Sequence, residues 1–173
     1  MRPLQSIAMG LVIVALSAPI AGGYDALPDP LGWVLVILGV RGLPADLPRR
    51  DAIVRLAWLA AAVSVPLWWP GVTDAAYGTN PSLGWALSLP QLGFAAVLCH
   101  SLATNAVAAE DHKAGFWLRL AMAAFVVAAV LPVIVFGAGV ASLELTADFG
   151  AALVLLTLIW LLFAYSARPW AVA

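Results

Sequence analysis

The stretch Arg41-Gly42-Leu43-Pro44-Ala45-Asp46-Leu47-Pro48-Arg49-Arg50-Asp51-Ala52-Ile53-Val54-Arg55 holds four of the chain's eight basic residues. It joins two apolar runs, about 30–43 and about 52–69. The fold turns on whether the first run crosses a bilayer. Even taken from Pro30 to Ala45 it makes only ~24 Å of helix. A re-entrant hairpin would return Arg49, Arg50 and Arg55 to the side that carries Asp25 and Asp29. Membrane insertion retains Lys and Arg flanks in the cytoplasm, so the sequence predicts a crossing, with Arg41 extending its stem to reach headgroups.

Working outward, Arg2, Lys113, Arg119 and Arg168 fall on the same side once the other apolar runs are counted. Those runs are about 4–21, 81–104, 114–138 and 148–167. Most approach the ~20 residues a spanning helix needs. The opposite connections carry Asp25, Asp29, Asp74, Glu144 and Asp148 and no basic residue. The expectation is an all-α, polytopic membrane helical bundle of six transmembrane helices in a single domain, residues 1–173. Both termini are expected to be cytoplasmic, in a plasma membrane of the bacterial cytoplasmic type. Arg2 and the apolar run behind it resemble a secretory leader, but cleavage after Ala21 would put Pro19 where a small residue is expected. The run is therefore read as a retained first helix.

Composition agrees. The chain is 64% hydrophobic and 10% charged, with mean hydropathy +1.02; soluble domains carry roughly a quarter charged residues. A net charge of -1 gives no basic face for nucleic acid. The lone Cys99 excludes an intrachain disulfide and a Cys-only metal cage.

A faint repeat runs through the chain. Leu31-Gly32-Trp33, Leu83-Gly84-Trp85 and Phe149-Gly150-Ala151 open the even-numbered spans, whereas Arg55-Leu56-Ala57 and Arg119-Leu120-Ala121 open the third and fifth. Pro19, Pro66 and Pro132 sit late in the odd-numbered spans. Three tandem two-helix hairpins would account for these features together. Trp33, Trp68, Trp69 and Trp85 fall at predicted outer ends, and Trp58, Trp117 and Trp170 at inner ends, as an interfacial aromatic belt requires.

Polar groups are few. Gly23-Tyr24-Asp25-Ala26-Leu27-Pro28-Asp29-Pro30 is the densest cluster. Asp29-Pro30 reads as a capped helix start, and Asp148 can cap the sixth span. Asp25 has no evident capping task; with Asp29 it could ligate a cation, or both could be solvated loop carboxylates. Together with Leu31-Gly32-Trp33, this segment resembles a loop of small multi-pass bacterial membrane proteins, a group without an assigned activity. The resemblance covers about a dozen residues and implies an architectural role for the loop, with Trp33 at its end; it carries over no catalytic residue.

Within the spans, Pro90-Gln91 lies near the predicted midplane, where the Gln91 amide can bond a freed carbonyl or a neighbouring helix. Gln91, Leu98, Ser101 and Asn105 share one helical face, with His100 one residue off it. His100 could relay protons, but an interfacial imidazole bonded to a carbonyl or water is the plainer reading. The loop Glu110-Asp111-His112-Lys113 reads as a solvated turn. Gly39, Gly42 and Ala60-Ala61-Ala62 permit close helix approach.

No metalloprotease, phosphate-loop or nucleophile–base motif occurs, and no cofactor or metal is expected. The sequence reading is a non-enzymatic accessory or scaffolding subunit, whose partners are the lipid bilayer and other subunits or further copies of the chain. Its rival is a small transporter or channel for a neutral solute or lipid, with Gln91 at the midplane.

Overall fold

The computed structural model describes residues 2–16, 27–78, 81–138 and 144–171. Among them the fold is entirely helical: α1 Pro3–Ala15, α2 Asp29–Arg41, α3 Arg50–Leu67, α4 Pro70–Gly78, α5 Pro81–Ala108, α6 His112–Ala138 and α7 Glu144–Tyr165, followed by a 3-10 turn at Pro169–Ala171.

Local chemistry sets these limits. Pro3 and Pro30 lie in the first turns of α1 and α2, where a missing N–H costs nothing. Proline at 44 and 48 keeps the α2–α3 connection from continuing as helix. The expected cap at Asp29 is displaced by one residue: Pro28 occupies the N-cap with no side-chain bond, and Asp29 is the first helical residue. There its charge still complements the positive end of the helix. α3 ends just beyond Pro66, and Pro70 starts α4 at a bend of 107°. The Thr73 hydroxyl donates to the Leu67 carbonyl and fixes this corner. α4 was not anticipated from the sequence.

By length and composition, two helices can cross a membrane, α5 over Ser82–Ala108 and α6 over His112–Val133; α3 with α4 makes a third if the bent pair is one broken span. Six full-length spans are therefore not found among the described residues. α1 and α2 have 13 residues each, or ~20 Å of helix, against a ~30 Å hydrocarbon core.

The helices pack in a ring. α1, α2, α3, α5, α6 and α7 each touch the next in this order, α7 returns to α1, and α4 lies against α3 and α5. The tightest neighbours are α1 with α2 and α5 with α6. Of the three expected hairpins, only the first is thus among the closest pairs.

The α1–α2 contact is backbone on backbone. A Cβ added to Gly32 would stand 2.7 Å from the Gly10 carbonyl, and one on Gly10 would meet the Gly32 carbonyl in turn. The same is true at Gly39, 2.7 Å from the Pro3 carbonyl. Close approach brings the Ser6 hydroxyl to the Leu35 carbonyl at 2.9 Å. The centre of the ring is filled by Trp33 of α2 and Phe94 of α5, edge to face at 5.3 Å and 82°. Both are fully buried, as are Leu98 and Phe125. Trp33 is consequently a core residue, correcting its expected place in an interfacial belt. Trp170 is also buried, whereas Trp58, Trp68, Trp69 and Trp117 are exposed as a belt requires.

Candidate functional site

Every basic residue lies toward one end of the ring. The start of α1 packs on the end of α2 through Pro3 and Gly39. Arg50, opening α3, donates to the Arg41 carbonyl at 2.9 Å. The end of α5, the start of α6 and the chain segment after α7 meet at Asn105, Asp111 and Trp170.

At that meeting point polar side chains join three segments of the chain. α5 terminates with Glu110 in the left-handed region at φ 63°. The Glu110 N–H reaches the Val107 carbonyl at 3.0 Å and the Asp111 N–H reaches the Ala106 carbonyl at 2.9 Å, the paired bonds of a Schellman stop. Asp111 then caps α6: its Oδ1 accepts the Ala114 N–H at 3.1 Å. Its Oδ2 accepts the Trp170 indole N–H at 3.2 Å and lies 3.6 Å from the Arg168 guanidinium. The Asn105 amide donates to the Trp170 carbonyl at 2.8 Å, and the Tyr165 ring lies 5.9 Å from that of Trp170.

One carboxylate thus holds two helices and the returning chain. The Ala114 amide does most to lower the Asp111 pKa below the usual carboxylate value; desolvation opposes it, and Trp170, Arg168 and His112 add to the lowering. Beside this knot, Pro44, Asp46, Asn105, Ala108, Ala109, Pro169 and Trp170 line an open cleft of about 420 Å³. Asp111 is accordingly a structural centre, correcting its reading as part of a solvated turn. Its signal was available: an Asp directly before a long, largely apolar helix. The return of Trp170 had none beyond Pro169, which prevents α7 from continuing.

The residues singled out from the sequence do not converge. Asp25 lies outside the described residues, so its pairing with Asp29 does too. The side chain of Asp148 likewise lies outside them. Asp29 sits at the opposite end, near enough to Tyr77 for its charge to be felt at the phenol. Gln91 is part-buried next to Pro90 in α5, and no hydrogen-bond partner for its amide is found among the described residues. The face it was assigned to does turn inward: Leu98 and Ser101 are fully buried, and Asn105 joins the knot. His100 is part-exposed, and its carbonyl accepts the Thr104 hydroxyl at 2.9 Å. Cys99 is buried. Among the described residues, no three His, Cys, Asp or Glu side chains are grouped to hold a metal ion.

Comparison of the chain with protein-family models, curated proteins and solved structures gave no match.

Proposed function

We propose that this chain is a non-enzymatic, multi-pass component of a bacterial cytoplasmic membrane, acting as an accessory or scaffolding subunit of a larger membrane assembly. One observation carries the reading: Trp33 and Phe94 meet edge to face in the middle of the ring. Two interlocked aromatic rings at the axis leave a solid, rigid body. A passage for solute would need that axis open.

In this proposal all six ring helices cross, with the basic end in the cytoplasm as the retention of Lys and Arg flanks requires. The short α2 crosses by local bilayer thinning, and Arg41 lengthens its reach. Lateral contacts use the apolar faces of α6 and α7, where Val127, Leu153 and Trp160 are exposed.

A second reading, transport of a neutral solute or lipid, draws on the Gln91 amide, part-buried beside the Pro90 kink. Mild-detergent isolation of the full chain followed by mass spectrometry separates the two. A reproducible stoichiometric partner supports the subunit. Recovery alone, with selective uptake into proteoliposomes that Gln91→Leu abolishes, overturns it.

A further inference from the structure

The outward faces of α2 and α3 carry a feature that subunit assembly does not use. Along α2, Leu31, Val34 and Leu38 are half-exposed or more, and the stripe ends at exposed Arg41. Along α3, the exposed stripe descends through Val65, Ala62 and Leu59 to Trp58, and ends one turn later at exposed Arg55. These spacings put each series on one helical face. α2 and α3 pack side by side with these ends together. The result is a pair of apolar tracks, each closed by an arginine.

The two arginines flank one indole. The Arg41 guanidinium sits 5.9 Å from the centroid of the Trp58 ring, and Arg55 precedes Trp58 by three residues, adjacent on the helix surface. Neither is neutralised: among the described residues, neither forms an ion pair with a carboxylate. Arg55 donates instead to the Asp51 backbone carbonyl at 3.3 Å. Arg49 and Arg50 add charge at the same end, against Asp46 and Asp51.

We infer that Arg41, Trp58 and Arg55 form a binding site for the phosphodiester headgroup of an anionic phospholipid, whose acyl chains lie along the α2 and α3 tracks. Three features of the site match three parts of that ligand. Guanidinium forks match phosphate oxygens in charge and geometry. An indole prefers the zone between headgroup and hydrocarbon. The half-exposed aliphatic side chains beyond it offer acyl chains an apolar surface. A soluble anion would use only the first of these, leaving the continuity from charge to apolar track without purpose. The site depends on membrane embedding and is independent of the scaffolding reading.

The test uses the full chain, purified in mild detergent, with lipid retention read by native mass spectrometry. Phosphatidylglycerol is expected to be retained over phosphatidylcholine. Each arginine that contacts the bound headgroup strengthens its retention by about fivefold, so Arg41→Gln with Arg55→Gln is expected to weaken phosphatidylglycerol retention by ~25-fold. Arg119→Gln, which removes an equal charge from exposed α6 surface, is expected to leave it unchanged. A thermal melt checks that the double variant is folded; should it unfold, Arg41→Lys with Arg55→Lys keeps the charge and loses the planar forks, and is expected to retain lipid more weakly than the parent. Equal retention of the two lipids overturns the site, as does undiminished binding in the folded arginine variants or an equal loss in Arg119→Gln. Displacement by millimolar inorganic phosphate overturns the lipid assignment in favour of a soluble anion.

Discussion

The side-chain amide of Asn105, near the end of α5, donates to the backbone carbonyl of Trp170 at 2.8 Å. Sixty-five residues of chain separate the two, so this bond closes the basic end of the ring. The Trp170 indole adds a second tie to Asp111. Removing Asn105 leaves a carbonyl without its donor, at a cost of about 1–3 kcal/mol. Asn105→Ala is expected to lower thermal stability in detergent. Trp170→Ala keeps the backbone carbonyl that Asn105 bonds but removes the indole tie to Asp111 and the buried ring, and is expected to lower it further. A melting point unchanged by Trp170→Ala would show that the Trp170 side chain contributes nothing to closure.

The Asp111 knot makes a pH prediction with a definite sign. Because the folded state lowers this carboxyl's pKa, its stabilisation is fully present above the ordinary carboxylate value and is lost as pH falls through the lower folded value. Stability should therefore decline below about pH 4, and Asp111→Asn should flatten that part of the profile. Melting temperatures from pH 7 to 3 for the two proteins provide the check. Parallel curves would assign the acid sensitivity to other carboxylates. High salt should have little effect on the knot, since the Arg168 contact is half-exposed at 3.6 Å and such pairs contribute under ~1 kcal/mol.

Glu110 occupies a backbone position that suits glycine. At φ 63° an L residue with a Cβ is strained by roughly 1 kcal/mol. Glu110→Gly is expected to raise stability by about that amount, an uncommon outcome for a glycine substitution. Denaturation of the variant by graded SDS would measure it; a loss of stability would mean the Glu110 side chain has a compensating role.

At the α1–α2 contact the sign reverses. Gly10→Ala or Gly32→Ala forces backbone against backbone and is expected to cost ~1–3 kcal/mol. Gly150→Ala in α7 is the internal control. Nothing lies within 4 Å of its added methyl group, and helix propensity favours alanine by up to ~1 kcal/mol. Equal effects at Gly10 and Gly150 would refute the close approach.

Most helix positions were readable from the sequence, with Pro30 and Pro81 at helix starts. However, α1 ends at Ala15, short of the expected residue 21, and α4 went unread. Pro66, Pro90 and Pro132 stand inside helices without ending them there. Helix orientation was not readable. In α2, Trp33 and Leu31 are both apolar and two positions apart, yet Trp33 is buried and Leu31 is exposed. A bilayer solvates apolar side chains as well as a protein core does, so polarity cannot report which face turns inward. Residue size can: Gly10, Gly32 and Gly39 mark the α1–α2 seam, and of these the sequence reading singled out Gly39 for close helix approach. Among the candidate residues, Gln91 and Asn105 were read as sharing one face of the fourth span with Leu98 and Ser101, and in α5 those two neighbours are fully buried. The arrangement around Asp111 depends on long-range return of the C-terminal segment, which no local pattern encodes.

The contact between α1 and α7 has a bearing on biogenesis. A chain leaving the ribosome presents α1 before α7, and the flank of α1 that packs on α7 lacks that neighbour until α7 emerges. Throughout synthesis this flank must be held by lipid or by the insertion machinery, and the bundle is an open arc. Ring closure is therefore a late event, and truncation within α7 would leave an exposed seam on α1. Such a seam is the kind of surface by which quality-control proteases distinguish unfinished membrane proteins from finished ones.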